Sequence, residues 1–293
     1  MGSRIVALTA MATAALAVCA CTGQLSSSVA PSLPSPSPSP STASTPTAST
    51  ASVVADPMAS PSVQGNFKVA ADGRSLAMDC YGNGDSTVIL ESGGGAIDEF
   101  TNEPLTRLLA AETRVCLYNR AGRSPSDPAP NKPREAEDAA ADLNALMKAA
   151  GVPGPYVLFG RSFGGMLVTF YGSKYPSDVA GVVVFDSPAP SATMSAAEFP
   201  EGTWDYPENL EHLNVRTGFE NRFGKKPVHI DAPLTLISTT SGESRPEDHY
   251  WLQVSPTSKQ VVLQGGMEVI GTHADRIASE ILAFVRAPAA SGS

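Results

Sequence analysis

From about Val63 onward, short apolar, β-branched runs alternate with amphipathic stretches. Thr87–Glu91, Arg114–Tyr118, Tyr156–Phe159, Gly181–Phe185, Leu234–Ile237 and Gln260–Leu263 are runs of strand length. A continuous apolar run of that length suits a strand buried on both faces. Between them the period changes to that of a helix. Glu99–Thr113 puts Leu105, Leu108 and Leu109 on one face, and Glu135–Ala150 does the same with Ala139, Leu143, Leu146 and Met147 before a stop at Gly151. Phe163–Tyr175 and Ala274–Val285 are two further helices. Ahead of all these, Phe67–Val69 and Ser75–Cys80 alternate about Asp72-Gly73 and predict an opening hairpin. The alternation predicts an α/β domain over residues 63–287, with a mostly parallel, doubly wound sheet and helices on both faces. No internal repeat interrupts it, and residues 288–293 read as a disordered tail.

The first sixty residues follow different rules. Arg4 precedes an apolar, Ala-rich stretch from Ile5 to Val18 that is too short to span a bilayer comfortably and has the length of a signal segment. It ends in Val18-Cys19-Ala20-Cys21. This resembles a bacterial lipoprotein signal over residues 1–21, in which the lipidated residue would be Cys21, because small Ala20 precedes it; Cys19 follows the bulkier Val18. Residues 22–62 are Ser, Pro, Thr and Ala with almost nothing to bury, so a disordered tether is expected. Drawn out as polyproline II, about forty residues would reach on the order of 100 Å. The expected location is outside the cytoplasm, lipid-anchored at the membrane or secreted.

Charge then removes one class of partner. Among 293 residues, 20 Lys and Arg face 29 Asp and Glu, a net charge of −9, which leaves no electrostatic footprint for nucleic acid. Four cysteines without paired CxxC motifs give no pattern for a structural metal, and no metal or cofactor is called for.

The chemistry concentrates in Tyr156-Val157-Leu158-Phe159-Gly160-Arg161-Ser162-Phe163-Gly164-Gly165, a strand, then G-x-S-x-G, then a helix. That turn needs tiny residues two before and two after its serine, so that strand and helix can approach. It would lift the Ser162 hydroxyl clear of the sheet at a helix N-terminus.

With Val88-Ile89-Leu90-Glu91-Ser92-Gly93-Gly94-Gly95 and Val115-Cys116-Leu117-Tyr118-Asn119-Arg120-Ala121-Gly122-Arg123-Ser124, the chain resembles the α/β-hydrolase superfamily over about Phe67–Val285, in particular its secreted, actinobacterial-type single-domain members. The second segment looks like the family's Y-D-R-x-G-x-x-S strand exit, with Asn119 where Asp is usual. The resemblance implies a serine hydrolase acting on a small carboxylic ester as a monomer, with Ser162 as nucleophile and the backbone N–H groups of Gly94 and Phe163 as oxyanion hole. For the acid it offers Asp186 at the end of one strand, or Glu243 one strand later. For the base the family writes Gly-His after the last strand, where this chain has Gly266-Met267; His273 lies six residues on, and Thr272 with Asp275 looks like a capping box around it. His249 is a second candidate, while His212 and His229 fall in or beside an expected lid over 187–231. Met267 leaves open an alternative, a catalytically silent fold that binds a ligand or an envelope partner. In this fold Cys80 and Cys116 lie on neighbouring strands, which implies a disulfide outside the cytoplasm.

Overall fold

A computed structural model describes residues 56–70, 72–94, 100, 104–189, 202–214, 228–239, 246–266 and 268–287. By contacts the chain divides into Met1–Ser52 and Val53–Ser293, and all described residues belong to the second unit.

The strands are β1 (Val63–Lys68), β2 (Ser75–Tyr81), β3 (Thr87–Glu91), β4 (Arg114–Tyr118), β5 (Tyr156–Arg161), β6 (Val179–Phe185), β7 (Leu234–Thr239) and β8 (Ser258–Leu263). They form one sheet in the order β1-β2-β4-β3-β5-β6-β7-β8. β2 pairs antiparallel with β1 and β4, and every other pairing is parallel. The helices among the described residues are α1 (Pro104–Glu112), α2 (Ala136–Ala149), α3 (Phe163–Lys174), α4 (Pro246–Leu252), α5 (Val269–Thr272) and α6 (Ala274–Val285).

Side chains alternate across the central strands, as the two-residue period of a strand demands. Ile89, Leu158, Val182 and Val184 face a core built with Leu143 and Leu146 of α2 and Val168 and Tyr171 of α3. Leu90, Phe159, Val183 and Phe185 face the opposite core, with Leu105 and Leu109 of α1 and Ile277 and Ile281 of α6. β3 is buried along its whole length, which is why it reads as an unbroken apolar run. α3 crosses the middle of one face and is buried from Gly164 to Thr169, so it carries no clear polar stripe.

Several boundaries move. β1 starts at Val63 and pairs with β2 through Cys80, so the hairpin is longer than Phe67–Val69 implies. β5 continues through Gly160 and Arg161, because Arg161 still pairs with Phe185 of β6. α1 ends at Glu112, and the earlier part of the helix expected from Glu99 falls mostly outside the described residues. α4 and α5 were not expected, since seven and four residues are too short to display a helical period.

Cys80 and Cys116 are direct partners across β2 and β4 and are joined by a disulfide, with Cα atoms 4.0 Å apart and a sequence separation of 36. A closed loop of that size stabilises the fold by roughly 3–4 kcal/mol through the entropy of the unfolded chain.

Candidate active site

The parallel strands deliver their C-terminal ends to one rim of the sheet, the usual place for a site in a doubly wound fold. Ser162 stands there between β5 and α3, half-buried, with φ 49° and ψ −123°. An L-residue holds such a conformation only when its surroundings over-determine it. Here they do. Ser162 N–H donates to Phe185 O at 2.9 Å, and its carbonyl accepts from Gly165 N–H at 2.9 Å and from Ser187 Oγ at 2.6 Å. The flanking glycines are sterically required: a Cβ on Gly160 would lie 2.4 Å from Gly164 O, and one on Gly164 would lie 2.5 Å from Glu91 O and from Ser92 O.

The loop after β3 passes directly over the serine. A Cβ built on Gly93 would stand 3.3 Å from Ser162 Cβ and 3.9 Å from its Oγ, whereas nothing lies within 4 Å of one on Gly94. Gly93 is therefore the close neighbour of the serine, a role that reading the triple glycine as a whole does not resolve.

A buried ionic cluster grips that loop from behind. Arg120, just past β4, donates to Ser92 O at 2.8 Å and Gly93 O at 2.6 Å, and to both carboxylate oxygens of Glu211 at 2.6 and 2.9 Å. It also pairs with Glu91, which in turn accepts from Tyr118 Oη. Arg123 donates to Glu211 at 2.8 Å and to Gly94 O at 2.7 Å. The Arg120 guanidinium lies 5.6 Å from the centre of the Phe163 ring, close enough for a cation–π contact. In a planar trans peptide the N–H points opposite to the C=O. With Ser92 O and Gly93 O turned to Arg120, the N–H groups of Gly93 and Gly94 point away from it.

Burial shifts the two carboxylates of this cluster unequally. Burial lifts the Glu91 pKa above the usual glutamate value, against the opposing pull of Arg120 and of the Tyr118 hydrogen bond. Burial also raises Glu211, but the charge and hydrogen bonds of Arg120, with Arg123, outweigh it, so Glu211 titrates below the usual value. Ionised Glu211 thus contributes stability that is complete above the ordinary glutamate pKa and lost as pH falls through its own lower value; ionising Glu91 carries the opposite sign.

Asp186 follows β6 as Ser162 follows β5, and their preceding residues, Phe185 and Arg161, are paired across the two strands. It is buried, with φ 44°, and Thr239 Oγ1 at the end of β7 donates to its Oδ1 at 3.3 Å. Its own N–H donates to Ile237 O at 2.9 Å. Glu243, the other candidate acid, lies outside the described residues, as do Met267 and Cys21.

His273 joins α5 to α6 beyond the end of β8, and its ring Nδ1 is hydrogen-bonded with Thr272 Oγ1 at 3.0 Å. The expected capping box is absent. Thr272 closes the preceding helical turn, and His273 is itself the N-cap of α6, without a side-chain cap hydrogen bond. Of the other histidines, His249 is exposed on α4, His229 stands 3.4 Å from Asp231, and His212 lies 3.0 Å from Trp204 O. Ser162, Phe163, Gly93, Gly94 and Asp186 thus share one rim, while His273, in the segment after β8, is hydrogen-bonded to Thr272 and to neither Ser162 nor Asp186. Among the described residues no group of three or more His, Cys, Asp or Glu is placed to hold a metal ion.

A family model described as "alpha/beta hydrolase fold" matches residues 87–248. The chain belongs to that family. A protein of Hormonema carpetanum named "Probable transporter efuK" is 33% identical over 107 residues, 36% of this chain and 15% of its own. Uncharacterized protein YqjL of Bacillus subtilis (strain 168) is 32% identical over 170 residues, 55% of this chain and 64% of that protein. The chain therefore spans less than two thirds of the length of these curated relatives. Among solved structures, the esterase EaEST from Exiguobacterium antarcticum superposes with a TM-score of 0.59 at 16% identity, covering 76% of this chain and 100% of the esterase. At that identity, what this α/β-hydrolase chain shares with the esterase is the fold.

Proposed function

We propose that the protein is an exported serine hydrolase that cleaves a carboxylic ester through an acyl-enzyme. The observation that carries the reading is Ser162 itself, held at φ 49° on the catalytic rim beneath a glycine loop whose carbonyls are turned away by arginine. Ser162 Oγ attacks the ester carbonyl carbon, and His273 takes the hydroxyl proton. The N–H groups of Gly94 and Phe163 receive the developing oxyanion. When the tetrahedral intermediate collapses, the carbon–oxygen bond to the leaving alcohol breaks and the histidine returns the proton to that oxygen. Water repeats the sequence on the acyl-enzyme and releases the carboxylic acid. Asp186 is the favoured acid, because it is buried beside Ser162 and anchored by Thr239.

A fluorophosphonate tests this directly. The full-length protein should gain one adduct, located by peptide mass spectrometry on the peptide carrying Ser162. No adduct on folded protein would overturn the proposal in favour of a silent, ligand-binding fold, and an adduct on another serine would move the nucleophile.

Residues 1–21 are proposed as the export signal and Cys21 as the lipid-bearing residue. Cys21→Ala should then move the protein from the membrane to the soluble fraction, because burial of acyl chains is what would hold it. Retention of Cys21→Ala together with release of Cys19→Ala would assign the lipid to Cys19.

A further inference from the structure

The insertion between β6 and β7 contributes more than cover. Its segment 202–214 is sewn to the body of the domain. Arg134 N–H donates to His212 O at 2.9 Å, and Asn214 N–H donates to Arg134 O at 2.7 Å. Leu210 O passes so close to Gly122 that a Cβ there would lie 2.0 Å away, and Asn209 Nδ2 ties the segment together through Thr203 O and Leu213 O, both at 2.8 Å. These contacts hold Glu211 from both sides, and its carboxylate enters the buried cluster at 3% exposure for the residue.

From there Glu211 touches the two arginines that grip the loop over Ser162. Both of its oxygens accept from Arg120, and Oε1 also accepts from Arg123. Those arginines hold three successive carbonyls, of Ser92, Gly93 and Gly94. Among the described residues, Arg120 has only one other carboxylate, Glu91 at the end of β3, and Arg123 has none besides Glu211. Glu211 thus fixes where the fork of Arg120 and the tip of Arg123 can sit, and they fix the peptide planes that aim the N–H groups of Gly93 and Gly94.

We infer that Glu211 is a positioning residue for transition-state binding: the insertion sets the geometry of the oxyanion loop through Glu211, Arg120 and Arg123. The inference rests on the hydrolase reading above. Donors misaimed by a fraction of an ångström lose binding to the oxyanion while leaving the ground-state ester little affected, since a neutral carbonyl depends less on them.

The experiment compares the full-length wild type with Glu211→Gln and Arg123→Gln, using a chromogenic short-chain ester and phenylboronic acid, which forms a tetrahedral anionic adduct on a reactive serine. Removing one oxyanion donor outright costs about 10²–10³-fold in kcat. Glu211→Gln should therefore lower kcat by about tenfold to a hundredfold with KM nearly unchanged, and weaken boronate inhibition by a similar factor. Arg123→Gln, at a side chain that is 23% exposed and so tolerant of change, should shift both in the same direction by less. All readings are taken well below each variant's unfolding temperature. Wild-type kcat and boronate affinity in both folded variants would overturn the inference while leaving the hydrolase reading intact. If Glu211→Gln does not fold, Arg123→Gln alone decides. A wild type that takes no fluorophosphonate removes the hydrolase reading and this inference with it.

Discussion

Ser162→Ala should eliminate ester turnover and fluorophosphonate labelling while leaving the fold in place. The expected fall in kcat is on the order of 10⁶-fold, the scale seen when the nucleophile of a serine triad is removed. Stability should change little or rise, because alanine is no worse than serine in the hydrogen bonds that secure this turn. Those bonds are made by the backbone N–H and C=O of residue 162, with Phe185, Gly165 and Ser187 as partners. A native circular-dichroism spectrum and unfolding midpoint, with activity at background, is the expected result. Ester turnover persisting in Ser162→Ala would place the chemistry elsewhere.

The sheet was legible because its central strands are buried on both faces. Thr87–Glu91 and Arg114–Tyr118 have the same bounds in sequence and structure, since each run of apolar residues coincides with the length that must be covered. The last helix was equally plain, as Ile277 and Ile281 recur on one face. Ends were harder. Gly160 and Arg161 lack strand character, yet pairing with β6 keeps them extended. Tertiary pairing sets such ends, and local propensity does not.

The candidate site divides in the same way. Ser162 and its flanking glycines were visible because tight approach of a strand and a helix leaves a local pattern. Arg120 and Glu91 lay in segments already singled out, although their pairing was not foreseen. Glu211 had no signal, for it reaches Arg120 from 91 residues away, out of an insertion with no periodicity. Thr239 beneath Asp186 was hidden likewise: only the β6–β7 pairing brings residues 53 apart into contact. The capping box foreseen around His273 failed because a one-turn helix, α5, already uses Thr272 as its last residue.

That short helix makes the base the sharpest remaining question. Replacing His273 with alanine should cut kcat/KM for an ester by about 10²–10⁴-fold, the usual contribution of a positioned general base. The histidine follows β8 in the chain, and its ring Nδ1 lies 3.0 Å from Thr272 Oγ1, a contact the ring must exchange for Asp186 when its Nε2 meets Ser162. Position 267 supplies an internal control. It directly follows Gly265-Gly266 in the sequence after β8, where the family resemblance implies a histidine. Met267→His in the His273→Ala background should therefore restore part of the lost activity, by returning a histidine to the position the resemblance implies. The comparison needs rates for the wild type, both single variants and the double variant on one ester. Unchanged activity in His273→Ala would exclude His273 as the base. A wild type without turnover, made active by Met267→His alone, would mean that the natural chain keeps the hydrolase architecture with its proton acceptor removed, and that Ser162 serves in binding rather than attack.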